Sequence, residues 1–206
     1  MKTAFNRIAL SAVLLGGVAG ALAESDFSTP AAAFRTYTQA LFDCDEAALK
    51  SAAIVSEKHP KLLGGMVEYI KVERQFRAAA ITAFPEAARE LPDPAKESMK
   101  AIDNATVKIE GDTAVLVTSQ SVEPVKLRKV NGEWKVDLAS MYNDDSVNDL
   151  VVFRGALTGV LSDMAADIEA GKYTSFVDVK TQLEIKVKMR IAMAPDEWPA
   201  TRPVKQ

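Results

Sequence analysis

A glutamate set among apolar residues at helical spacing is the sharpest chemical feature of this sequence. Successive helical residues rotate by about 100°, so Leu62, Met66, Tyr69, Phe76, Ala80 and Phe84 share one stripe. Glu73 falls at its centre. A desolvated carboxylate is a weaker acid than usual, and such a group can serve as a general base or acid. Arg77 stands four residues on, the spacing of a helical ion pair, and structural pairing is the reading that this spacing favours. Tyr37 and Tyr69 could offer hydroxyls to an enclosed site, although tyrosines on an apolar stripe more often bury the ring and leave the tip at the surface. With Phe76 and Trp134 these residues form the candidate pocket lining: Tyr37, Tyr69, Glu73, Phe76 and Trp134.

The rest of the inventory is short. There is one histidine, His59, and one cysteine, Cys44. A His/Cys zinc cage needs about four N or S ligands, and one thiol closes no internal disulfide. No metal site and no cofactor is expected. His59 is expected at the surface, in a Lys58-His59-Pro60 turn, because a residue before proline is pushed out of the helical region. Cys44 is expected as a small buried hydrophobe. Asn143, Asp144, Asp145 and Asp149 form an acidic group, but the spacing lacks the glycine and terminal glutamate of an EF-hand. Helix capping and favourable dipole placement explain it better. Lys180, Lys186, Lys188 and Arg190, diluted by Glu184, read as a solvated helix face. No glycine-rich phosphate loop, nucleophile elbow or CxxC motif appears.

The elements that must position these groups follow from patterning. Thr29-Pro30 opens a helix, with an N-cap residue and proline in the first turn. Phe34, Tyr37, Leu41 and Phe42 line one of its faces. Asp43-Cys44-Asp45 interrupts it, and Asp45 caps a second helix from Glu46 to about Ile54. Leu62 to Phe84 reads as a long helix, weakened by Gly64-Gly65, and a short helix fits between Ala95 and Ile102. From Ala105 the period changes to two. Strands are expected at Thr106–Glu110 and Thr113–Ser119, the latter central and covered on both faces because its apolar residues fall on both. Asn131-Gly132 is a strong two-residue hairpin signal. It pairs Val130 with Glu133, Leu127 with Val136 and Val125 with Leu138, and turns Val125, Leu127, Trp134, Val136 and Leu138 to one face. Ser146 with Asp149 resembles a capping box for a helix ending at Gly171. Leu183 to Met193 alternates like a strand, yet Phe176, Val179, Leu183 and Val187 make a helical stripe. The length of the stretch favours helix.

Composition and charge bound the function. The chain has 206 residues, 48% of them apolar and 26% charged, with net charge −3. This is an ordinary globular composition, and its acidity argues against nucleic acid as a partner. Lys2 and Arg7, the apolar run Ile8 to Val18 and the small-x-small site Ala21-Leu22-Ala23 have the form of a secretory signal over residues 1–23. Cleavage after Ala23 would remove two basic residues and no acidic one, shifting the charge from −3 to −5. Secretion or a periplasmic location is therefore expected, with no integral membrane segment in the mature chain.

The order of elements, the helix break at Asp43-Cys44-Asp45, and the strand phrases Val107-Lys-Ile-Glu-Gly-Asp-Thr-Ala-Val115 and Leu127-Arg-Lys-Val-Asn-Gly-Glu-Trp-Lys-Val136 together resemble the nuclear transport factor two-like superfamily. This is the cystatin-like α+β cone, here closest to its small secreted bacterial members. The resemblance covers about residues 29–139. Cys44 stands where the family usually has glycine or asparagine. The resemblance implies an α+β fold: N-terminal helices packed on a curved antiparallel sheet, with a cavity between them. A cone-like domain over 24–143 would be followed by an appended helical hairpin at 144–194 and an extended tail at 195–206. Fold alone does not choose a function. The shortage of catalytic residue types favours a non-catalytic module that holds a small apolar ligand in the cone, or a protein partner on the sheet or the helical pair. The alternatives are a small cavity enzyme of isomerase or dehydratase type using Glu73, and a structural dimerisation module forming a homodimer.

Overall fold

A computed structural model describes residues 25–57, 59–120, 123–142 and 144–192. The expected signal segment 1–23 and tail 195–206 lie outside the described residues. The chain runs through α1 (Pro30–Asp43), α2 (Glu46–Ser51), β1 (Ala53–Ile54), α3 (His59–Ala83), α4 (Ala87–Glu90), α5 (Pro94–Asp103), β2 (Thr106–Glu110), β3 (Thr113–Val117), β4 (Val125–Val130), β5 (Glu133–Asp137), α6 (Leu138–Met141), α7 (Asp144–Glu169) and α8 (Phe176–Ala192). The class is α+β, as expected.

Local chemistry sets the helix ends. Thr29 Oγ1 accepts the Ala32 N–H at 3.2 Å, and Pro30 occupies the first turn. At the other end of α1 the Asp45 N–H reaches the Ala40 carbonyl and the Cys44 N–H reaches that of Leu41. This is the Schellman arrangement, whose pivot needs a left-handed backbone and usually takes glycine. Cys44 holds it with φ +58°. The side chain is half-buried against the core, an intermediate position between the buried hydrophobe expected and a surface thiol.

The five strands form one sheet in the order β1-β5-β4-β3-β2. It is mixed rather than wholly antiparallel, because β1 runs parallel to β5, with Ala53 opposite Val136. The expected second helix therefore stops at Ser51, short of Ile54, and the two residues after Ala52 join the sheet. The hairpin has the expected register, Val130 opposite Glu133 and Leu127 opposite Val136. Asn131 and Gly132 both take positive φ, as a type I′ turn demands. Leu138 starts α6 instead of pairing with Val125, yet its side chain joins the same core.

β3 departs from expectation. It alternates strictly, with Ala114 and Leu116 buried and Val115 and Val117 facing solvent at 39% and 44% exposure. Valines on the open face reflect a β-branched preference for the pleated backbone, and the expected second covering layer does not lie over Val115 and Val117. His59 is a second correction. It is 1% exposed and begins α3 instead of sitting in an exposed turn. Proline is tolerated in a first helical turn, and the imidazole folds back so that its Nδ1 accepts the Ser56 N–H at 2.6 Å. α7 begins at Asp144, two residues before the expected cap Ser146; Asn143 and the side chains of Asp144 to Ser146 lie outside what is described.

Two apolar clusters share α3. Leu63 and Val67, near its start, pack with Tyr37 of α1, Leu49 of α2 and the inner sheet face, including Leu116, Leu127, Trp134 and Val136. Val72, Phe76 and Ala80, further along, pack with Val160, Met164 and Ile168 of α7 and with Phe176 and Val179 of α8. The helical reading of 183–192 therefore holds, and its stripe Phe176, Val179, Leu183, Val187 faces the second cluster. Asp167 ties the hairpin together. Its carboxylate meets Lys172 Nζ at 2.6 Å and Lys186 Nζ at 2.7 Å, and the Tyr173 hydroxyl donates to it at 3.2 Å. Hydrogen bonds from Lys172 and then Lys186 push its pKa down to about 2 from the ordinary 3.8. A depressed carboxylate pKa contributes stability above the unfolded value and loses it as pH falls towards the folded one. Urea titrations between pH 7 and pH 2 test this. The wild type should shed this contribution between about pH 4 and pH 2. Asp167→Asn should be less stable by roughly 0.5–1 kcal/mol at pH 7 and should lack that part of the acid decline. Parallel pH profiles for the two proteins would contradict the assignment.

Candidate functional site

The first cluster does not close completely. Between α1, α5, α6, the inner sheet face and the first half of α7 lies a cavity of about 290 Å³. α1 presents Phe34, Tyr37 and Leu41 to it, because these residues recur at helical spacing on the face turned to the sheet. α5 supplies Ser98, Ala101 and Ile102. It is held against α1 by an ion pair between Arg35 and Asp103, and its own start is capped by Asp93, which accepts the Ala95 N–H at 3.0 Å. The floor is Val125 and Val136 of the hairpin, and Met141, Tyr142 and Leu150 complete the wall. Arg154, nearly three turns into α7, is also on the lining.

The candidate residues are not brought together. Tyr37 lines the cavity. Its ring is 5% exposed, and its hydroxyl lies 3.8 Å from Met66 Sδ. Burial above all, then Tyr142, holds its phenol well above the ordinary pKa, while Arg154 pulls the other way. Tyr69 lies outside the lining, with the Arg154 guanidinium 5.8 Å from its ring centroid. Phe76 is buried in the second cluster. Trp134 is buried under the hairpin in the first, with Lys129 Nζ 5.9 Å from its ring centroid. Glu73 is also outside the cavity. The stripe was a correct angular reading, but α3 is long. At about 1.5 Å per residue, Met66 and Phe76 are separated by roughly 15 Å along the axis, so one face serves two clusters.

Glu73 is an ion-paired structural group. Its Oε1 meets Arg77 Nε at 3.5 Å, and both side chains are less than one-fifth exposed. Arg77 also donates to the Leu91 carbonyl at 2.8 Å, tying α3 to the segment after α4. Burial raises the Glu73 pKa; Arg77 and Arg74 oppose the shift, and Asp93 adds to it. Its second oxygen is buried with no hydrogen-bond partner.

The lining can bind and orient more readily than it can move protons. Among its described residues none is Asp, Glu, His or Lys. Arginine keeps its proton at any physiological pH, and the Tyr37 phenol is held protonated. Arg154 was missed at the sequence level although a signal was present: it is the only charged residue between Asp149 and Asp163. Met141, Tyr142 and Ser98 carried no such signal, since they sit in short elements whose faces periodicity does not resolve.

Fold and site together define an α+β domain whose helices cover one face of a mixed five-stranded sheet and enclose an apolar cavity with one cationic wall. Comparisons with protein-family models, with curated proteins and with solved structures find no match. Among the described residues no cluster of His, Cys, Asp and Glu could hold a metal ion, and no helix is long and apolar enough to cross a membrane.

The pairing of Glu73 makes a prediction. A raised carboxylate pKa means relative stability that is present at low pH and lost as pH rises above the ordinary value of 4.5. Glu73→Gln should therefore be at least as stable as the wild type at pH 7. Arg77→Ala, which strands a half-buried carboxylate and the Leu91 carbonyl, should cost about 1–3 kcal/mol. Urea unfolding at pH 7 checks both. A large loss in Glu73→Gln with little effect of Arg77→Ala would overturn this account.

Proposed function

We propose that this protein is a non-catalytic binding module of the nuclear transport factor two-like kind, working outside the cytoplasm and holding one small apolar ligand in the cavity between α1, α5 and the sheet. The observation that carries this reading is the cavity itself. It has about 290 Å³ of space walled mainly by apolar side chains, Phe34, Leu41, Ile102, Val125 and Met141 among them. Close packing is the rule in protein interiors, and apolar pockets with a few convergent polar groups are where small ligands bind. The element order and the hairpin phrase support the family reading. The basic, apolar and small-x-small segments of residues 1–23 support export.

N-phenyl-1-naphthylamine, a neutral apolar fluorophore, is a suitable probe. Its fluorescence should rise saturably, at one site per chain. Ser98 is half-buried on the cavity wall, so Ser98→Trp should fill the space without disturbing the sealed core and weaken binding at least about tenfold, ~1.4 kcal/mol. Absence of saturable binding to the wild type, or binding indifferent to Ser98→Trp, would refute the cavity as the site. Export is tested separately. Full-length chain expressed in a Gram-negative host should be recovered from the periplasmic extract with Glu24 as its first residue; recovery only from the cytosol with residues 1–23 attached would contradict it.

A further inference from the structure

Arg154 is chemically out of place on the cavity wall. Its neighbours on α7 are apolar, and it is the only cation among the described lining residues. No carboxylate among the described residues pairs with it. Its Nε is buried and has no hydrogen-bond partner. Its guanidinium carbon lies over the Tyr69 ring, 5.8 Å from the centroid. A cation over an aromatic face is attracted by the ring, and that contact satisfies none of its N–H donors. A guanidinium has five donors in a fixed fork, and a buried charged donor without an acceptor is costly. Retaining such a group on an apolar wall is readily explained if an anion completes it.

The rest of the lining narrows the anion. The positive charge of Arg154 reaches the Tyr37 hydroxyl, which itself donates to Met66 Sδ at 3.8 Å, and Tyr142 shares the lining with both. The remaining walls are mainly apolar, with Phe34, Leu41, Ile102 and Met141 outweighing the hydroxyls of Thr38 and Ser98 and the Gln120 amide. A neutral hydrocarbon would leave the buried Nε of Arg154 without an acceptor. A sugar or a dianion would set more polar atoms against these mainly apolar walls than the few polar groups could satisfy, which is unfavourable. The volume of about 290 Å³ lies at the lower end of small-molecule pockets, about 300–1,000 Å³, and suits a small ligand.

We infer that the ligand of this cavity is a small apolar monocarboxylate, with its carboxylate on the Arg154 guanidinium and its hydrocarbon body among the α1 and α5 side chains. This rests on the binding reading above and adds the head group to it.

The test compares ligands of equal chain length by calorimetry at pH 7.5: octanoate, 1-octanol and octyl phosphate. The wild type should bind octanoate at least about tenfold more tightly than 1-octanol, as a charge-assisted fork warrants. Arg154→Met should erase that preference while keeping 1-octanol binding. Equal affinity of the wild type for octanoate and 1-octanol would overturn the carboxylate assignment and leave the cavity reading standing. Octyl phosphate binding at least about tenfold tighter than octanoate would overturn it in favour of a phosphate head group. Failure of all three to bind would refute the cavity reading itself. The ligand comparison on the wild type needs no variant, so a misfolded Arg154→Met leaves the assignment falsifiable; Arg154→Lys, which keeps the charge without the fork, should retain only part of the preference.

Discussion

The packing of α7 along α3 is the contact on which the rest of this structure depends. It is the most extensive helix–helix contact in the molecule, and it does two things. At its far end it buries Val160, Met164 and Ile168 against Val72, Phe76 and Ala80 and so creates the second cluster. At its near end it carries Leu150 and Arg154 over the edge of the first cluster, onto the cavity wall. Burial of large apolar side chains is worth about 1.5–3 kcal/mol each, so the far end anchors the helix strongly enough to hold a charged residue at the near end. α8 and the Asp167 ion pairs brace that anchor from outside. The C-terminal hairpin is thus a structural part of the candidate site rather than an appendage beside it.

The cavity arises from unequal filling. α1 and α2 meet the sheet through small residues, Ala33, Ala40 and Ala52, and through Leu49 and Trp134, and seal one side of the core. On the other side, α5 packs on α1, α6 is a single turn against β4 and β1, and the space between them and Tyr37 remains open. The polar groups facing that space are hydroxyls, an amide and one guanidinium. Such a wall selects by shape and by one charge, which is the pattern of a site that binds and orients. Glu73, the residue best suited by type for proton transfer, is spent on Arg77 and on joining α3 to the segment after α4.

Much of this was legible in the sequence where local chemistry and pattern agree. Thr29-Pro30, Asp45 and Asn131-Gly132 each act through backbone geometry that depends on few neighbours, and each lies where it was expected. The segment 183–192 shows how tertiary structure arbitrates between patterns. Its alternation fits a strand, but the apolar groove between α3 and α7 accepts the Phe176–Val187 stripe, and helix results. The misses share a cause. Angular position on α3 was read correctly, but a long helix separates residues along its axis, so Glu73 and Phe76 do not meet Tyr37. β1 is two residues long and exists only because β5 offers it an edge. His59 is buried because its ring turns back to the Ser56 N–H, which a rule about residues before proline does not foresee.

A crystal structure of the protein with 8-bromooctanoate, read through the anomalous signal of bromine, tests the central claim most directly. The account predicts the carboxylate in hydrogen-bonding reach of Arg154 and the bromine between α1 and α5, with α7 seated on α3 as described. Bromine found only outside this cavity, or a carboxylate turned away from Arg154, would contradict it.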